Sequence, residues 1–89
     1  MEKIIVKKPT KDDLQKLGVN KWEIWTCNPS TFDWTYSEKE TCYLLEGKVT
    51  VKTPSEETSF GAGDLVTFPS GLKCTWKVQE SVKKHYRFG

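Results

Sequence analysis

The sequence predicts a small all-β protein, an antiparallel sandwich or barrel, and three observations carry that expectation. Short apolar or alternating runs recur roughly every 8–12 residues, each bounded by Gly, Pro, Asn or Ser turns, which is the rhythm of such folds. The stretch Leu72-Lys73-Cys74-Thr75-Trp76-Lys77-Val78 alternates without a break, putting Leu72, Cys74, Trp76 and Val78 on one face and Lys73, Thr75 and Lys77 on the other. Only one segment carries helix signals, and it is short.

In chain order, Ile4-Ile5-Val6 is a β-branched edge strand that stops at Pro9, which has no N–H to give a ladder. Thr10 then stands as an N-cap, with Asp12 and Asp13 in the first turn and Leu14 and Leu17 three apart. Gly18 ends the segment, so one N-terminal helix is expected over 11–17. Trp22, Ile24 and Trp25 mark a short strand, and Asn28-Pro29-Ser30 a turn. Phe32, Trp34 and Tyr36 alternate with Asp33 and Thr35 as the next strand. Residues 41–46 and 48–53 flank Glu46-Gly47 and read as a hairpin. After a polar turn at Pro54–Glu57, Thr58-Ser59-Phe60 begins a return strand. Gly61 and Gly63 bracket a turn, Leu65–Phe68 is a strand, and Pro69-Ser70-Gly71 turns again. The alternating run 72–78 and a separate final strand over 81–88 bring the total to eight or nine.

Eighty-nine residues make one domain, 1–89, with a single modest core. Aromatic residues make up 12% of the chain, and bulky rings raise the apolar area that so small a core buries. A net charge of +2 with 29% charged residues argues against a dedicated nucleic-acid surface. The one basic run, Lys83-Lys84-His85-Tyr86-Arg87, reads as a solvated edge strand protected by lysine. No run reaches the roughly 18 apolar residues of a membrane span. The segment Met1–Val6 lacks the apolar core of a signal peptide, so a soluble, cytoplasmic protein is expected. Cys27, Cys42 and Cys74 have no C-x-x-C spacing and are expected as free thiols.

Two stretches carry a more specific resemblance. Glu40 is followed by six residues and then Gly47; Gly63 is followed by five residues and then Pro69-Ser70-Gly71. These spacings resemble the tail of the first and the head of the second motif of the cupin family, G-x5-H-x-H-x3,4-E-x6-G and G-x5-P-x-G-x2-H-x3-N. The intervening length is typical of that family too. The resemblance covers residues 20–88, with a motif core at about 33–78. It implies a small jelly-roll β-barrel (a double-stranded β-helix). The strings Phe32-Asp33-Trp34, Cys42–Gly47 and Gly63–Trp76 are similar to the small cupins grouped with (S)-ureidoglycine aminohydrolase and ethanolamine-utilisation protein Q.

The departures bear on chemistry. At the two histidine positions of the first motif stand Trp34 and Tyr36, or Asp33 and Thr35 if the spacer is one residue longer. The second motif's histidine falls on Cys74 and its asparagine on Val78. Of four ligands only Glu40 is retained, and one carboxylate with one thiolate is two ligands short of a metal site, so no metal or other cofactor is expected. The resemblance points Glu40 into the barrel mouth, where desolvation suits a carboxylate to acid–base work; the alternative is a structural carboxylate bonded to a neighbouring ring. Trp34, Tyr36 and Trp76 either stack a planar ligand or fill the barrel. Cys74 joins them as a ligand contact, although nothing nearby in sequence activates its thiol. Cys42 faces inward with Glu40 and Leu44 as core.

Two functions follow as expectations. One is a metal-independent cupin that binds a small molecule among Trp34, Tyr36, Glu40, Cys74 and Trp76. The other is an enzyme of the aminohydrolase-like neighbourhood that acts on a ureido or amino compound, with Glu40 as general base helped by Tyr36. Many cupins are homodimers, and a homodimer is expected here.

Overall fold

The computed structural model describes residues 3–89; Met1 and Glu2, which the sequence reading includes in its domain and its N-terminal segment, lie outside the described residues. The described chain forms seven strands, β1 (Ile5–Lys7), β2 (Glu23–Cys27), β3 (Ser30–Thr35), β4 (Glu40–Lys52), β5 (Glu57–Gly61), β6 (Leu65–Phe68) and β7 (Lys73–Phe88). One helix, α1 (Lys11–Leu17), is followed by a 3-10 turn at Val19–Lys21 that the sequence reading does not include. Thr10 Oγ1 accepts from the Asp13 amide at 3.1 Å and Asp13 returns the bond to the Thr10 amide at 3.0 Å, a reciprocal cap. Gly18, at φ 69°, closes the helix in the left-handed region.

All strand pairs are antiparallel. The first halves of β4 and second half of β7 lie in one layer, in the order β1-β6-β4-β7-β2. The second half of β4 and first half of β7 lie in another, flanked by β5 and β3. Two long bent strands thus run through both layers and close them over one core, the small jelly roll that the sequence predicts. The core holds Leu44, Val49, Val51, Val66 and Phe68, each fully buried, with Tyr36, Phe60, Trp76 and Val82 packed around them.

Three expectations are corrected. Residues 41–46 and 48–53 are not a hairpin but one strand, β4. Gly47, at φ 104°, sits in a run of register shifts between Leu44 and Val49, so the chain bulges and bends instead of reversing. The space there is closed to any side chain, since a Cβ on Gly47 would stand 2.5 Å from the Ser81 carbonyl oxygen. Likewise 72–78 and 81–88 are one sixteen-residue strand, β7, which lowers the count from eight or nine to seven. The basic run Lys83–Arg87 is consequently no edge: it is paired on both sides, by β4 and by β2. Lys84 points into the core at 4% exposure.

Candidate functional site

β7 sets the site. Along it Cys74, Trp76, Val78, Val82, Lys84 and Tyr86 share one parity and face inward, as a pleated strand requires. β3 contributes Phe32 and Trp34 from its inward face, and Tyr36 follows it. β4 begins with Glu40, opposite Phe88 of β7. Trp25 comes from β2. Together Trp25, Phe32, Trp34, Tyr36, Glu40, Trp76, Lys84, Tyr86 and Phe88 line a cavity of about 220 Å³ that opens to solvent. Trp34 and Phe88 form its rim, 48% and 41% exposed.

At its base lies a buried ion pair. Lys84 Nζ donates to Glu40 Oε2 at 3.0 Å, with the two side chains 6% and 5% exposed. The ammonium also stands 4.6 Å from the centroid of Trp76 and 4.9 Å from that of Trp25, so two indole faces share its charge. Desolvating an ion pair is costly, and a partner at hydrogen-bond distance together with the π faces offsets that cost. An ammonium carries three N–H donors. Among the described residues only Glu40 accepts from this one, which leaves capacity for an acceptor oxygen in the cavity.

Around the pair the rings interlock. Phe32 stacks on Trp76 at 6.0 Å between centroids, and Tyr36 stacks on Phe68 at 4.9 Å. Trp25 meets both Phe32 and Trp76 edge-on. Burial, reinforced by the Glu40 carboxylate beside it, holds the Tyr36 hydroxyl protonated far above the ordinary tyrosine range. Tyr86 donates its hydroxyl to Glu23 at 2.8 Å.

The structure brings Trp34, Tyr36, Glu40 and Trp76 to one cavity and leaves Cys74 outside it. Cys74 lines a second, more open hollow with Asp33, Lys52 and Lys73, and its thiol donates to the Trp34 carbonyl at 3.6 Å. Burial pushes that thiol up to about 11, against a smaller downward pull from the neighbouring Trp76 indole. The Trp76 Nε1 itself makes no full hydrogen bond among the described residues. Burial likewise takes the Cys42 thiol, in the core, up to about 12. His85 faces the other side of the sheet, its Nδ1 3.1 Å from the Trp22 carbonyl.

As site residues, sequence reading missed Trp25, Phe32, Lys84, Tyr86 and Phe88, although it placed Phe32 on one face with Trp34 and Tyr36. The parity of Trp76 and Val78, continued through Val82, places Lys84 and Tyr86 inward once β7 is read as one strand. No comparable signal marks Trp25, which reaches the cavity through the pairing of β2 with β7.

A first-row divalent metal takes four or more ligands. Among the described residues no three His, Cys, Asp or Glu side chains gather as a ligand set. The cavity offers one carboxylate, and an ammonium already stands against it. This donor set does not fit such a metal. Among the described residues no helix is long and apolar enough to cross a membrane.

Residues 14–86 match the model of the EutQ-like cupin domain. The acetate kinase EutQ of Clostridioides difficile (strain 630) is 29% identical over 79 residues, which are 89% of this chain and 46% of that protein; the chain spans about half the length of this curated relative. A DUF861 family protein from Thermotoga maritima superposes with a TM-score of 0.96 at 50% identity, over 98% of this chain and 100% of that one. The Clostridium difficile EutQ structure gives a TM-score of 0.68 at 25% identity, covering 73% of this chain and 52% of that one. A putative ethanolamine utilization protein Q from Salmonella typhimurium LT2 gives 0.67 at 26% identity, over 73% and 53%.

Proposed function

Because this chain belongs to the EutQ-like cupin domain family, we propose that it is a small-molecule-binding cupin whose aromatic cavity takes a small, flat, uncharged carbonyl compound. The observation that carries this reading is the Lys84–Glu40 pair at the base of a cavity walled by rings. Rings favour a flat body, by stacking. The unused Lys84 N–H groups favour an acceptor oxygen, and the pair, already neutral as a whole, disfavours an added charge of either sign in so dry a place. At about 220 Å³ the cavity lies below the roughly 300–1,000 Å³ of drug-sized ligand sites, which points to a fragment-sized molecule and not a nucleotide.

In this reading the chain has lost the histidine ligands of its family and Lys84 supplies the positive charge in place of a metal. The donor set and the 3.0 Å contact support it. A second reading keeps the aminohydrolase-like enzyme acting on a ureido or amino compound. Its support is that Glu40 stands beside a hydroxyl, that of Tyr36, which burial keeps protonated; Glu40 would serve as base and Tyr36 as proton donor.

Benzamide, a flat neutral carbonyl compound, tests the proposal by thermal shift. It is expected to raise the melting temperature more than benzoate or benzyltrimethylammonium does at equal concentration. Trp34→Ala, at an exposed rim position, should leave the fold intact and weaken binding by about 0.5–1.5 kcal/mol, the worth of one aromatic contact. Equal shifts from all three compounds, or none that responds to Trp34→Ala, would count against it.

A further inference from the structure

The same cavity holds the elements of a covalent reaction, and the inference rests on reading it as the ligand site. We propose that Lys84 is an attachment point for small aldehydes or ketones: its amine condenses with a carbonyl compound held among the rings, and Glu40 carries the proton that the condensation moves. Three observations join in it. Among the described residues the only amine lining the cavity is that of Lys84, on the same strand as Trp76 and Tyr86. A carboxylate oxygen lies 3.0 Å from that nitrogen, close enough to take a proton and return it. Both groups are almost wholly withdrawn from water, at 6% and 5% exposure, which slows the hydrolysis that reverses imine formation in bulk solvent.

The steps balance. A proton passes from the Lys84 ammonium to Glu40, leaving a neutral amine and a carboxylic acid. The nitrogen bonds to the carbonyl carbon, the C=O π bond breaks, and one nitrogen proton ends on oxygen to give a neutral carbinolamine. Glu40 returns its proton to that hydroxyl group, the C–O bond breaks, and water leaves as the nitrogen lone pair closes a C=N bond. The product is an iminium against the Glu40 carboxylate. One carbonyl compound is consumed, one water is released, nothing is oxidised or reduced, and the site carries the same net charge before and after. The indole faces at 4.6 and 4.9 Å from Nζ that share the charge of the ammonium serve the iminium equally.

Benzaldehyde with sodium cyanoborohydride tests the step on the full chain, because hydride delivery turns the C=N bond into a stable secondary amine. Peptide mapping by mass spectrometry then finds the label. With limiting aldehyde, Lys84 is expected to carry at least about tenfold more label than exposed Lys16 or Lys73, the gain from holding the two reactants together. Trp34→Ala should lower labelling of Lys84 and leave that of Lys16 unchanged, and Glu40→Asp, which keeps the charge but draws the carboxylate back from the amine, should lower it further. Label on exposed lysines with none on Lys84 overturns the proposal. In that event the indole N–H resonances of Trp25, Trp34 and Trp76, recorded with benzaldehyde and no reductant, separate the two readings. If they move, ligand binding stands and only the covalent step falls; if they do not, both fall.

Discussion

Lys84 and Glu40 decide the character of this molecule at the scale of single residues. Removing one partner of a buried pair leaves the other charge stranded, at a cost of about 3–5 kcal/mol. Lys84→Met and Glu40→Gln are each expected to lower stability by that order in denaturant titrations. The double variant, with neither charge left in the core, should recover most of the loss or exceed the parent, so the two changes are strongly non-additive. Additive losses would show that the groups do not act as a pair. Alkaline pH gives a second residue-scale expectation. Burial raises Cys74 to about 11 and Cys42 to about 12, above the roughly 8.5 of a free thiol. Between those values the unfolded chain has lost protons that the folded chain keeps, so stability falls as pH rises; it is fully present below about pH 8.5 and declines from there to about 12. Tyr36 shifts in the same sense. Equilibrium unfolding across pH 8–11 checks this, and Cys42→Ala with Cys74→Ser should flatten the slope.

Elements explain what was legible in the sequence and what was not. Alternation alone places Phe32, Trp34 and Tyr36 on one face and Cys74, Trp76 and Val78 on another, and the structure brings all four of these rings to one cavity. The Glu46-Gly47 dipeptide misleads because a glycine with positive φ between two apolar runs serves a hairpin turn and a bulge equally well. Tertiary pairing decides between them: β4 pairs with β7 on both sides of Gly47, which packs against Ser81 and Val82 with no space for a Cβ. Buried positions are 40, 42 and 44 before the bulge and 49, 50 and 51 after it, of which Val49 and Val51 join the hydrophobic core, so the bulge also absorbs a change of parity. Gly47→Ala should therefore be severe, combining a left-handed backbone angle with a 2.5 Å clash against backbone, for a loss of about 2–5 kcal/mol. A loss below 1 kcal/mol would mean that β4 relaxes there more freely than the geometry allows. Lys84 escaped the sequence reading for a related reason. A run of five polar and basic residues looks like a solvated edge, and only the pairing of β7 with both β4 and β2 puts its alternate members inside.

For the whole molecule, two bent strands hold a jelly roll whose open end is a ring-lined cavity with one ammonium and one carboxylate at its base. The spacing of Glu40 to Gly47 and of Gly63 to Gly71 resembles the cupin motifs, and the fold and the EutQ-like family match bear that resemblance out. The chemistry proposed for the cavity was less legible, because it turns on Lys84, a residue that neither motif contains. The four tryptophans offer the most direct measurement of the central claim. Trp25, Trp34 and Trp76 line the cavity, whereas Trp22 lies outside it with Arg87 against its ring at 5.1 Å. In a ¹H–¹⁵N correlation spectrum, titration with benzamide is expected to move the indole resonances of Trp25, Trp34 and Trp76 and to leave Trp22 in place. Indole signals that all stay fixed, or a shift centred on Trp22, would contradict a ligand site built on the Lys84–Glu40 pair.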